Sequence, residues 1–316
     1  MQPIQIWKGE LSFPEVPARR LKAGHNLILQ NVFPGGKIDA HIEASAHKGH
    51  LTIVTGFSSP FDQLLLRMKG ARKIESHVPT VTLSEQLDPG ALPDAITVEW
   101  DSLGKLAGFA STPEDVIANW KDKFRFTLEN ETTGTDGLRA PQFGALHAIS
   151  AHFSVGKQFD PATVVLPTGT GKTETMLANL IYSQLSRVLA IVPSSALRLQ
   201  IGRKFVSLGV LPTIGVIPTT IARPRVAFIT TGIRSLDEAQ TIIAESNVIV
   251  ALPDSLKESS PAALAYIADK CSDLIVDEAH HITAATWSSI RDRFATRRIL
   301  QFTATPFRRD RNRVDG

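Results

Sequence analysis

Leu166-Pro167-Thr168-Gly169-Thr170-Gly171-Lys172-Thr173 follows the apolar run Thr163-Val164-Val165 and leads into Met176, Leu177, Leu180, Ile181 and Leu185 at helical spacing. The order is strand, loop, helix. Two glycines let the backbone wrap a polyphosphate with its N–H groups pointing inward, at a helix start whose partial positive charge favours an anion. Thr168, Gly169, Thr170 and Gly171 form the cradle; Lys172 then reaches the β- and γ-phosphates, and Thr173 sets its hydroxyl on Mg²⁺. The general pattern asks for glycine where Leu166 stands, so this loop belongs to a subtype.

About a hundred residues on, Asp273-Leu274-Ile275-Val276 reads as a short buried strand running into Asp277-Glu278-Ala279-His280. One carboxylate at such a strand end holds the hydrated Mg²⁺ that bridges phosphates, and its neighbour orients and deprotonates the attacking water. Asp277 suits the first role and Glu278 the second. His280 is placed to report the nucleotide state to the next element.

Together with Thr303-Ala304-Thr305-Pro306, these stretches resemble motifs I, II and III of the superfamily 2 helicases and translocases, a family in which an aliphatic residue often stands at the Leu166 position. The resemblance runs from residue 138 to the neighbourhood of Asp310 and implies ATP and Mg²⁺ as cofactors. It further implies that Gln142, in Leu138-Arg139-Ala140-Pro141-Gln142, reads the adenine edge, and that Thr303 and Thr305 couple hydrolysis to movement. Pro193, Ser194, Ser195 and Arg198 match motif Ia, and Pro253, Asp254 and Ser255 stand where motif Ib falls, both as contacts to a nucleic-acid backbone. The form Thr303-Ala304-Thr305-Pro306-Phe307-Arg308 is similar to DNA-directed members such as restriction-enzyme motor subunits and repair translocases, which points to duplex DNA as the track.

The architecture follows from patterning alone. Apolar runs at 163–166, 188–192, 226–230, 248–252, 274–276 and 299–302, separated by helical patterns, read as strands covered on both faces. That is an α/β fold, a parallel sheet with helices on both faces, which the resemblance implies is RecA-like. Ser235-Leu236-Asp237-Glu238 has capping-box spacing, and Pro261 opens another helix. Ligands collect at the carboxyl ends of parallel strands, so the loop, the acid pair and Thr303 should meet at one edge.

Residues 1–128 read as a smaller α/β accessory domain for recognition or docking, 129–137 as a polar, glycine-bearing linker, and 138–316 as the first RecA-like domain. In the accessory region His50 to Phe57 suggests a strand, Phe61 to Met68 a helix, and Thr112-Pro113-Glu114-Asp115 a helix start. It resembles a phospholipase D-like nuclease only in outline, because no His-x-Lys occurs in the chain. Its histidines lack metal-ligand spacing, and Trp7, Trp100 and Trp120 are assigned to core packing.

Composition narrows the class. The single cysteine, Cys271, excludes internal disulfides and cysteine-rich zinc sites. No apolar stretch has membrane length and the amino terminus lacks a secretory pattern, so a cytoplasmic protein without a membrane partner is expected. A net charge of +3 does not by itself argue for nucleic acid. Eight arginines against three acids between Arg291 and Gly316 are a candidate phosphate-holding segment.

Motors of this family pair two RecA-like domains, the second supplying an arginine finger. A second domain in a longer chain, or a partner subunit, is therefore expected, with ATP hydrolysis weak in its absence. The leading expectation is the ATP-binding half of a DNA translocase or helicase of restriction, antiviral defence or repair. The alternatives are a nucleotide- and DNA-binding regulatory or scaffold subunit and an RNA-remodelling helicase.

Overall fold

The computed structural model describes residues 5–14, 19–30, 35–55, 63–74, 76, 78–84, 92–102, 112–155, 159–218, 221–278 and 284–305. Along the chain come β1 (Gln5–Phe13), β2 (Arg19–Ala23), β3 (Asn26–Gln30), β4 (Gly36–Ala44), β5 (His50–Thr55), β6 (Gln63–Arg67), β7 (Thr80–Leu83) and β8 (Ala95–Ser102). Next are α1 (Pro113–Trp120), α2 (Ala140–Ser154), β9 (Ala162–Val165), α3 (Lys172–Tyr182), β10 (Val188–Ile191), α4 (Ser195–Ser207) and β11 (Val226–Phe228). The last are α5 (Leu236–Glu245), β12 (Val248–Ala251), α6 (Pro253–Lys257), α7 (Pro261–Lys270), β13 (Asp273–Asp277), α8 (Ala284–Arg293) and β14 (Arg298–Thr303). They fall into two compact units, Met1–Pro17 with Val32–Ser111, and Ala18–Asn31 with Thr112–Gly316.

The first unit is a closed barrel in the order β1-β4-β5-β6-β7-β8. Closure removes strand edges, and inward residues such as Leu11, Ile42, Ile53, Leu66 and Val98 form its core. Its elements among the described residues are all strands, which corrects the α/β reading of this region. The helix expected over Phe61–Met68 is strand β6 where described, paired with β5 on one side and β7 on the other. Leu64, Leu65 and Leu66 are all buried there, and a short leucine run reads alike in a buried helix and a buried strand.

The second unit is built on a sheet of order β2-β3-β11-β12-β10-β13-β14-β9. The six strands from β11 to β9 run parallel and coincide with the six apolar runs. Every residue of β10, β12 and β13 is buried, as in a sheet sandwiched between helices. Leu189, Ile249, Leu274 and Ile299 pack on one face with Ile242 of α5 and Ile267 of α7. The alternate residues, among them Ala190, Val250, Ile275 and Leu300, are also buried. No described helix is long and apolar enough to cross a membrane.

Local signals set the helix starts. Ser235 accepts from Glu238 N at 3.1 Å, Ser260 caps α7, and Thr112 and Asp115 close a full capping box on α1. The Glu238 carboxylate does not complete its box; it accepts from Arg234 N at 2.9 Å and Asn26 Nδ2 at 2.8 Å. Asn26 belongs to the β2–β3 hairpin, which pairs antiparallel along β11 and covers what would otherwise be an open edge. Gln30 fastens the hairpin's other end, accepting from Arg225 Nε at 3.1 Å and donating to Arg223 O at 3.2 Å.

Residues 112–128 also belong to this unit. Trp120 is buried with its indole N–H on Ala222 O at 2.8 Å, and Glu114 pairs with Arg187 at 2.6 Å. The border expected at 129–137 therefore lies inside the unit, as a small bridged turn with Asn130 facing Thr135 and Leu128 beside Leu138. Its polar, glycine-bearing composition suits a turn as well as a linker. Trp7 and Trp100 pack at the barrel core, each donating its N–H to a backbone carbonyl, of Pro93 and Pro14 respectively.

Candidate nucleotide site

Strand β9 delivers the chain to Leu166, whose N–H donates to Thr303 O at 3.0 Å and so ties the loop to the end of β14. Gly169 (φ +84°) and Gly171 (φ +90°) turn the backbone in the left-handed region. Gly171 caps α3 in a conformation that favours glycine, and a Cβ there would lie 1.9 Å from Gln142 Nε2, so any side chain would also have to displace that amide. Thr170 closes the turn onto Pro167 O at 2.7 Å, while Thr168 and Gly169 stay exposed.

The loop is braced from α2. Arg139 donates from Nη1 to Gly169 O at 3.0 Å. Gln142, buried, donates weakly to Gly171 O at 3.4 Å, and its Oε1 accepts from Arg139 N at 2.8 Å. The residue assigned by sequence to the adenine edge thus has its amide turned onto the loop backbone. Arg139 was not singled out by the sequence; standing three residues before Gln142, it carries no pattern of its own.

Asp277 ends β13 and is buried, and Glu278 follows in the left-handed region at φ +48°. That conformation stores strain of about 1–2 kcal/mol for a residue with a side chain and turns Glu278 toward the loop. Lys172 Nζ donates to Glu278 Oε1 at 2.5 Å, joining two residues 106 apart in sequence. Burial, then the Glu278 charge, pushes the Asp277 carboxyl up to about 6, against the opposing pull of Lys172. Asp277 Oδ1 is buried with no hydrogen bond among the described residues.

Thr303 is fully buried at the end of β14, its hydroxyl donating to Thr305 O at 2.7 Å. Since β13, β14 and β9 are neighbours, Thr303 stands between the acid strand and the loop strand. His280 and the Pro306–Arg309 segment lie outside the described residues. Of the arginine-rich segment, Arg297 pairs with Asp269 and Arg298 with Asp273. These two are committed to local ion pairs.

The residues assigned to nucleic acid are divided. Ser194 caps α4 by accepting from Leu197 N at 3.3 Å, and Pro193 and Ser195 flank it at the exit of β10. Arg198 donates to Ile229 O at 2.7 Å, and burial lowers its pKa, so it braces α4 against the chain leaving β11. Pro253 opens α6; Asp254 is exposed beside Lys257, whereas Ser255 is buried and its carbonyl accepts from Ser259. An unremarked ion pair, Lys204 to Glu174 at 2.5 Å, links α4 to the helix that leaves the loop.

The donor set fits a hydrated Mg²⁺. An orphaned, buried carboxylate oxygen is the hard ligand such an ion prefers, and one carboxylate plus ligand phosphates is its usual protein share. The ionised Asp277 also opposes folding, its burial only partly offset by Lys172: the deficit is nil well below its ordinary 3.8, grows as pH rises, and is complete above about 6. Asp277→Asn is therefore expected to stabilise the nucleotide-free chain by about 2–3 kcal/mol at pH 8, shrinking toward pH 4. Thermal melts across that range measure it; a gain independent of pH would refute it.

A parallel sheet carrying a phosphate loop, an acid pair and a buried threonine at adjoining strand ends is the ATPase domain of a superfamily 2 helicase-type protein. The family model described as "Type III restriction enzyme, res subunit" matches residues 135–308, and the chain belongs to that family. Solved structures similar to it include the UvsW helicase from bacteriophage T4, at 14% identity and TM-score 0.37 over 61% of this chain and 60% of that one. Another is a nuclease-deletion mutant of the Type ISP restriction-modification enzyme LlaGI in complex with a DNA substrate mimic, at 19% and 0.33 over 54% and 18%. The Hef helicase domain of Pyrococcus furiosus is similar at 23% and 0.34 over 51% and 33%. The chain thus spans less than two thirds of each of these. No curated protein sequence matches it.

Proposed function

We propose that this chain is the ATP-binding half of an ATP-dependent motor that moves on nucleic acid, with duplex DNA as its track. The observation that carries the reading is the meeting of Lys172, Glu278 and the orphaned Asp277 oxygen at one sheet edge, within a restriction-subunit family domain.

In this reading the backbone N–H groups of 168–172 receive the phosphates, and Lys172 exchanges its Glu278 partner for phosphate oxygens. The exchange releases Glu278 to orient a water and accept its proton. Asp277 and Thr173 would hold Mg²⁺, which when bound would neutralise phosphate charge. Thr303, hydrogen-bonded to Thr305 and tied through its carbonyl to Leu166, couples loop and acid strand to the grip on the track. Gln142 positions the loop and, once the base is present, reads its edge. A second RecA-like domain, in a longer chain or a partner subunit, supplies the arginine finger, a contribution of about 10³–10⁵ in rate. The cytoplasm is its place of work.

Fluorescence anisotropy with labelled duplex DNA tests the reading. A salt-dependent affinity that differs between ATP- and ADP-loaded chain is expected. Nucleotide binding with no change in DNA affinity would replace the motor with a regulatory or scaffold module.

A further inference from the structure

The barrel interior is packed with apolar side chains, so its polar chemistry lies outside. At one end, the β4–β5 turn (residues 45–49) and the loop leaving β6 (residues 68–73) are locked side by side. Met68 N donates to Gly49 O at 3.0 Å and Ala71 N to Met68 O at 3.0 Å. Gly49 sits at φ +77°, where a Cβ would come 2.7 Å from Ala71 Cβ. Arg67 anchors the base of this platform through two hydrogen bonds to Asp101, at 2.8 and 3.0 Å, and one to Ala71 O at 3.2 Å.

The charge here is segregated. The unit as a whole carries eleven acids against eight lysines and arginines, yet five of those eight, Lys48, Arg67, Lys69, Arg72 and Lys73, stand on or beside these two loops. The run 67–75 itself holds four bases and one acid, Glu75. Asp101 is committed to Arg67 and Lys73, and the Arg67 hydrogen bond holds its carboxyl below the usual range. Lys48, Lys69 and Arg72 are exposed and make no ion pair among the described residues.

We propose that this end of the barrel is a docking surface for the phosphodiester backbone of nucleic acid. Unpaired ammonium and guanidinium donors on a backbone-locked platform suit a row of phosphate oxygens and carry no base selectivity. The residues between them, Gly49, Gly70 and Ala71, provide no apolar wedge of the kind that inserts into a lipid surface. The choice of nucleic acid over other polyanions rests on the motor reading of the second unit.

The test is anisotropy of labelled duplex DNA with the whole chain over a range of KCl, comparing it with a variant carrying Lys48→Ala, Lys69→Ala and Arg72→Ala. The substitutions lie on exposed side chains, and matching thermal melts check the fold. The variant is expected to bind about tenfold or more weakly, with a log–log salt slope shallower by about 3, since each phosphate contact contributes about 0.9. Its ATP affinity should be unchanged, and Lys8→Ala with Lys37→Ala, away from the loops, should alter neither quantity. An unchanged slope and affinity in the triple variant would overturn the docking surface while leaving the motor reading standing. Failure of the unaltered chain to bind DNA in any nucleotide state would overturn both. Tighter binding to phosphatidylserine vesicles than to DNA at equal salt, lost on the same substitutions, would reassign the surface to a membrane.

Discussion

Glu278→Gln is expected to slow ATP hydrolysis about 10²- to 10⁴-fold while nucleotide binding survives or tightens. The rate loss, roughly 3–5 kcal/mol of barrier, follows from removing the group assigned to take the proton from water. The gain in binding follows from the ion pair. In the structure the Lys172 ammonium is held by Glu278 at 2.5 Å, with both side chains largely buried, so a phosphate binding Lys172 must displace a carboxylate. A neutral amide gives up the lysine more readily. Single-turnover hydrolysis and calorimetric titration with ATP and Mg²⁺ separate the two effects. Binding that weakens in step with the rate would mean that Glu278 organises the loop and has no role specific to the chemical step.

Lys172→Ala should weaken ATP binding about 10- to 100-fold, the loss of a charge-assisted contact of roughly 1.5–3 kcal/mol, and reduce hydrolysis further. A second consequence is particular to this site. Lys172 is the cation that restrains the Asp277 carboxyl, already near 6 through burial and its neighbour Glu278. Without it the carboxyl rises again, and the acid limb of Mg²⁺-dependent nucleotide binding moves to higher pH. Titrations between pH 5.5 and 8 would show the shift. An affinity within twofold of the unaltered chain would remove Lys172 from the phosphate site altogether.

Much of the second unit was legible because its determinants are local. Parallel strands buried on both faces read as continuous apolar runs, and Ser235, Pro261 and Thr112-Pro113 mark helix starts through contacts within one turn. The loop and acid pair are legible for the same reason, since each is a contiguous stretch with a strand before it. What escaped is non-local. The Leu64–Leu66 run had no local feature to choose strand over helix; pairing with β5 and β7 made the choice. The Lys172–Glu278 pair, the Arg139 brace on Gly169 and the hold of Asn26 on Thr230 join segments far apart in sequence, and no spacing announces them. Arg198 shows the converse, a residue whose place in a motif did not reveal that its guanidinium is bound to a backbone carbonyl.

The hairpin at residues 18–31 makes the order of synthesis matter. Gln30 emerges 195 residues ahead of Arg225, the partner that fixes it, and all the barrel's later strands are made in between. The two units are interleaved along the chain, β1 preceding the hairpin and the barrel's other strands following it, so every barrel strand has been made while the second unit still lacks most of its sheet. The hairpin must wait for β11, a long-range closure that slows folding and leaves β2 and β3 without that neighbour for most of translation. A piece cut at residue 135, where the family match begins, would never have those two strands to wait for.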